Sequence, residues 1–157
     1  MVSFTDLLWK GARLALPLVI LAFLSASPAR SSPLVQEQGP NRAGLVVVHS
    51  DGRVVTRCVA FQETEITGLM LLQRSGLPFL TASGPMGSAV CSLAGEGCPA
   101  SDCFCECKGN PCAYWSYFHR GADGAWAYAS MGAGVRSIRD GDADAWVWGD
   151  GSQPPPT

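Results

Sequence analysis

The sequence predicts an α+β domain in which one short helix packs on one face of a mixed sheet, with a cysteine-rich loop at its side. Three observations carry this reading. Two β-rich runs flank a Ser-Asp-Gly turn, a single amphipathic segment follows, and three further β-rich runs come after six cysteines crowded into residues 91–112.

The chain opens with Lys10 and Arg13, then an uncharged apolar run at 14–24 (LALPLVILAFL) and the small-residue stretch SASPA. That is the layout of a secretory signal, with cleavage expected after Ala29. The apolar run falls well short of the about 20 residues a membrane-crossing helix needs. The alternative is an uncleaved signal, which would be the chain's sole membrane attachment. Residues 30–42 (RSSPLVQEQGPNR) read as a flexible spacer, 43–149 as the folded domain, and 150–157 as a disordered, proline-rich tail. Without residues 1–29 the chain keeps nine basic and twelve acidic side chains, which argues against nucleic acid as a partner.

Within the domain, 44–49 (GLVVVH) and 53–61 (RVVTRCVAF) form a hairpin around Ser50, Asp51 and Gly52. Thr64 and Glu65 suit a helix start, Ile66, Leu69 and Met70 follow at helical spacing, and Gly76 with Leu77 and Pro78 closes it, giving a helix over 65–75. Strands are expected at 88–93, 113–119 (AYWSYFH), 125–130 (AWAYAS) and 143–148 (ADAWVW), with residues 121–124 as the turn between the second and third. Hairpin, helix, then strands is the order of a β-grasp-like mixed sheet.

Alternation along these strands sorts the aromatics. Trp115, Tyr117 and His119 share one face of their strand, Trp126 and Tyr128 one face of the next, and Trp146 and Trp148 one face of the last. Ala125, Ala127, Ala145 and Val147 lie opposite. Small residues admit a helix closely, so the alanine face is expected under the helix and the aromatic face away from it. With Tyr114, the six tyrosines and tryptophans are the candidate ligand-binding residues. The other reading makes the tryptophans the core.

Cys103, Cys105 and Cys107 alternate with Phe104 and Glu106. In an extended segment their spacing disfavours bonds among the three, so each is expected to bond outward, to partners among Cys91, Cys98, Cys112 and Cys58. Cys58, on a strand with apolar neighbours, is the candidate free thiol. About 105 pairings remain open from sequence alone. The spacing matches neither zinc nor iron–sulfur patterns, and no metal is expected. A thiol oxidoreductase is the minor enzymatic alternative, though Cys-x-x-Cys at a helix start is lacking.

No catalytic residue is expected. His49, Ser50 and Asp51 are adjacent in a turn and cannot form a relay. His119 ends an aromatic strand, where a rim or structural role is expected. Asp140, Asp142 and Asp144 resemble the start of a calcium loop, but Ala145 replaces its glycine and Gly151 its glutamate, so a solvated turn is expected.

The stretch YWSYFHRGADGAWAYASMGAGVRSIRDGDADAWVW, with ITGLMLLQRSGL as the helix, resembles the closing part of the β-domain of the transcobalamin and intrinsic factor family of cobalamin carriers. The likeness covers roughly residues 43–148. TRCVAF, GCPASDCFCECKG and CAYWSYF are similar to bacterial secreted single-domain relatives of unknown function. The resemblance implies a β-grasp-like ligand-binding fold in the cell envelope or outside it, and a corrinoid as one ligand to test. The carriers close on cobalamin with a large helical domain that has no counterpart in this sequence, so a corrinoid would need a second protein or another binding mode. Trp115, Tyr117, Trp126 and Trp148 occupy the family's aromatic strands.

Together these readings give a non-catalytic, secreted or extracytoplasmic module that binds a small molecule or cofactor linked to uptake. The alternative is an extracellular protein-interaction or structural module, with an envelope protein as partner and the disulfide-braced loop as its recognition element.

Overall fold

The computed structural model describes residues 40–84 and 87–156. The signal and all but the end of the spacer lie outside the described residues. The hairpin forms as expected, from β1 (Asn41–Val48) and β2 (Val54–Phe61). His49 N–H donates to Arg53 O and Gly52 N–H to His49 O, at 2.9 and 3.0 Å, closing the turn.

β3 (Ile66–Thr67) precedes α1 (Gly68–Arg74), so the helix starts three residues later than its periodicity predicts. Ile66 and Thr67 pair instead with Ile138 and Ser137 of β9 (Ser137–Ile138). Thr67, not Thr64, then caps the helix, its Oγ1 accepting from Met70 N–H at 3.2 Å. Gly76, at φ +73°, takes the left-handed conformation that ends it.

β4 (Phe79–Gly84), β5 (Gly87–Leu93) and β6 (Glu96–Gly97) form a separate three-stranded antiparallel sheet. After a 3-10 turn come β7 (Tyr114–Arg120), β8 (Trp126–Tyr128), β9, and β10 (Ala143–Gly149). The main sheet has the order β2-β1-β10-β7-β8, with β10 parallel to β1 and antiparallel to β7. The fold is α+β, with one helix on one face of a mixed five-stranded sheet.

The helix lies against the aromatic face, which reverses the expectation. Leu71 and Leu72 pack in one cluster with Leu45, Val47, Trp115, Tyr117 and Trp146, while Ala145 and Val147 lie in a second cluster with Phe118 on the opposite face. The cause is volume: seven helical residues cover little of a five-stranded sheet, so the large rings of the sheet itself fill the remainder. Each buried ring adds about 2 to 3 kcal/mol of apolar stabilisation.

The cysteine segment also differs in conformation from the expectation. Residues 99–107 coil through Ala100–Asp102 and successive turns, with Cys105 N–H donating to Asp102 O and Cys107 N–H to Phe104 O. Three disulfides join Cys91 to Cys103, Cys98 to Cys105 and Cys107 to Cys112. Cys103, Cys105 and Cys107 bond outward, but they do so from a coiled backbone rather than an extended one. Cys58 is unbonded and exposed.

Residues 150–156 are mostly exposed and touch the domain at two points. Pro155 is buried, and Gly151 sits so close to Tyr114, Ser116 and Tyr128 that a side chain there would meet all three.

Candidate ligand-binding cleft

Between the two sheets lies a cleft of about 490 Å³, within the size range of small-molecule sites. Its aromatic surface comes from Trp115, Tyr117 and Trp146 of the main sheet. Residues 82–84 and 87–90 of β4 and β5 supply one side, and residues 128–133 another. Phe104 of the cysteine loop and Tyr114 complete the lining.

Strand register explains which aromatics meet. Trp146 pairs with Tyr117 and Trp148 with Trp115, so all four project from the helix face, and Tyr117 stacks on Trp146 with ring centroids 4.7 Å apart. Phe118 pairs with Tyr128 and Arg120 with Trp126, which puts Trp126 and Tyr128 on the opposite face. Tyr128 still reaches the cleft because β8 is a three-residue edge strand, and its hydroxyl lies 3.3 Å from that of Tyr114. Five of the seven candidate residues therefore line the cleft: Tyr114, Trp115, Tyr117, Tyr128 and Trp146. Trp126 packs against the Phe118 cluster, and Trp148 packs behind Trp115 with centroids 5.4 Å apart.

Burial divides the lining into floor and rim. Trp115, Tyr117 and Trp146 are 5%, 9% and 1% exposed, whereas Phe104, Tyr128 and Met131 are 51%, 51% and 54% exposed. Among the described residues, three of the six large apolar side chains left in solvent thus stand at this one mouth. Phe104 and Met131 were not among the sequence-derived candidates. Met131 carried a legible signal, as the one large side chain in a run of small residues at 129–134 (ASMGAG).

Two buried polar clusters hold the floor. Tyr117 donates its hydroxyl to Asp144 Oδ2, and Arg136 Nε donates to Asp144 Oδ1 at 3.0 Å. Burial holds the Asp144 carboxyl above the ordinary carboxylate range, while the Tyr117 and Arg136 donors pull it back. Burial, and then the Asp144 charge, push the Tyr117 phenol well above its usual value, so it stays a protonated donor. The expectation of a solvated aspartate turn therefore fails at Asp144, which is fully buried. Asp140 and Asp142 do act as turn caps, accepting from the backbone N–H groups of Arg42 and Arg139.

The second cluster is built on His49, which flanks the turn as expected and is in addition buried. His49 is 3% exposed, and its Nδ1 lies 2.6 Å from Glu96 Oε2. Arg53 Nη2 sits 3.2 Å from the same nitrogen. The indole N–H of Trp115 donates to Glu96 O at 3.2 Å, and the His49 ring meets Trp115 edge-on at 5.6 Å. Glu96 belongs to β6, so this cluster ties the main sheet to the disulfide-bonded one. Gly97 beside it admits no side chain: at φ +119°, a Cβ would run into the Cys91 carbonyl.

Tyr128 is pushed up to about 12 by burial and by its bond with Tyr114, so it too stays neutral and able to donate. No charged side chain lines the cleft among the described residues, and none of them forms a cluster suited to a metal ion. No described helix is long and apolar enough to cross a membrane, and three disulfides fit an oxidising compartment.

No protein-family model and no curated protein matches the chain. Among solved structures it is similar to a candidate metal binding protein from Ruminococcus gnavus ATCC 29149, at 16% identity and TM-score 0.49 over 69% of this chain and 95% of that one. It is likewise similar to haptocorrin, of the transcobalamin family, in complex with Cbi, at 15% identity and TM-score 0.49 over 71% of this chain. The match spans a quarter of haptocorrin's length, at 25%. Neither likeness transfers a ligand to this chain.

Proposed function

We propose that this chain is a non-catalytic, extracytoplasmic binding module for a small molecule or cofactor, working in uptake, with the cleft between its two sheets as the site. The observation that carries the reading is the concentration of solvent-exposed apolar side chains, Phe104, Tyr128 and Met131, around a cleft with a buried aromatic floor. Apolar surface of this kind gains free energy when a ligand covers it. The disulfides and the signal-like N-terminus support an envelope or extracellular location.

The test is to purify the chain from its own secreted or envelope fraction and examine it by native mass spectrometry. A bound mass released on denaturation is expected, and a ligand-free protein that also shows no tryptophan fluorescence change with a corrinoid and metabolite panel contradicts the reading. A second reading, a protein-interaction module, rests on the exposure of Phe104 on the braced loop. It predicts a specific envelope protein crosslinked at the loop, with no small molecule in the cleft.

A further inference from the structure

We propose that the cleft takes an uncharged ligand bearing hydroxyl or carbonyl groups, with Phe104 as its fixed outer contact. This deepens the function proposed above and rests on the cleft being the binding site.

The chemistry of the lining supports a neutral ligand. No Asp, Glu, Lys, Arg or His contributes to it among the described residues, so a phosphate or carboxylate would lose water without gaining an oppositely charged partner, and an ammonium would find no carboxylate. Two lining groups that look available are already used, since the Trp115 indole donates to Glu96 O and the Tyr117 hydroxyl to Asp144. The remaining side-chain polar groups are hydroxyls, those of Ser83, Ser88 and Ser130 and the mutually bonded pair Tyr114 and Tyr128. A hydroxyl both donates and accepts, which matches carbonyl and hydroxyl substituents and does not compensate a full charge.

The disulfides explain why Phe104 is the outer contact. It stands between Cys103 and Cys105, which are bonded to Cys91 and Cys98, so the backbone is fixed on both sides of one half-exposed ring. The ring centroid lies 6.3 Å from that of Tyr114. An apolar contact held in this way loses little conformational freedom when the ligand arrives.

The experiment titrates the full chain with three aromatic probes: Nile red (neutral), anilinonaphthalene sulfonate (anionic) and benzyltrimethylammonium (cationic). We expect saturable one-to-one binding of the neutral dye, with both charged probes at least about ten-fold weaker. Phe104→Ser and Met131→Ser should each weaken dye binding about five-fold or more while leaving Tm and the near-ultraviolet spectrum unchanged, because both side chains are half in solvent. A charged probe that binds as tightly as the neutral one overturns the inference. So does dye binding that neither substitution weakens, or no dye binding at all. A charged molecule found in the cleft of the purified protein would refute this inference while leaving the proposed function standing; a cleft that binds nothing would refute both.

Discussion

The two sheets of this molecule are held by different forces. The five-stranded sheet and its helix bury a continuous apolar cluster from Ala43 to Trp146, and no disulfide crosses it. The three-stranded sheet contributes Val90 and Leu93 to that cluster, with Phe79 packed against it, and two disulfides plus the His49–Glu96 contact fasten it further. One region is specified by apolar patterning and the other by covalent bonds and a buried polar contact. The cleft lies where they meet, so its floor comes from the core, while its rim combines Phe104 of the disulfide-bonded loop with Tyr128 and Met131 from β8 and the segment after it.

Substitutions should separate these forces. Trp146→Ala removes the most buried ring of the cluster, and a loss of about 3 to 5 kcal/mol in urea unfolding is expected. Replacing Cys91 and Cys103 together by serine should cost about 3 kcal/mol. Its signature should be regional: hydrogen exchange in β4, β5 and β6 should quicken while β1, β10 and β7 keep their protection, and uniform loss would blur the contrast between the sheets. Glu96→Ala leaves His49 without its carboxylate, and a smaller loss of about 1 to 3 kcal/mol is expected, again centred on the second sheet.

Asp144 offers a test by pH. Its carboxyl is raised in the folded state, so its protonation favours folding. That contribution is full below the ordinary value of 3.8 and is lost as pH rises through the raised folded value. The unfolding midpoint of the wild type should therefore exceed that of Asp144→Asn by more at about pH 4 than at about pH 7. Cys58→Ser, on the exposed edge strand, should change stability by less than about 0.5 kcal/mol.

The main sheet was legible in sequence because its signals are local. The Ser-Asp-Gly turn, Gly76, the turn at residues 121–124 and the alternation along β7 and β10 each report on a few neighbours. What was hidden depends on partners far along the chain. Ile66 and Thr67 look helical until they meet β9, and His49 looks like a turn residue until Glu96 reaches it from 47 positions away. Alternation along β10 puts Asp144 on the same face as Trp146, so its burial against Tyr117 was within reach of the sequence although the acidic run reads as a solvated turn. The side taken by the helix was not, because it depends on how much volume a short helix leaves to be filled. The cleft was half visible: its tyrosines and tryptophans stood out, whereas Phe104 acquires its place only through the disulfides on either side.

The cleft between the two sheets is the proposed ligand site. Amide shift mapping by NMR, as the copurified ligand or the neutral dye is titrated in, tests it most directly. Shifts at residues 82–84, 87–90, 104 and 128–133 together, with β2 silent, are predicted. Shifts confined to β2 or to the outer face around Val147 would place the ligand elsewhere and contradict that assignment.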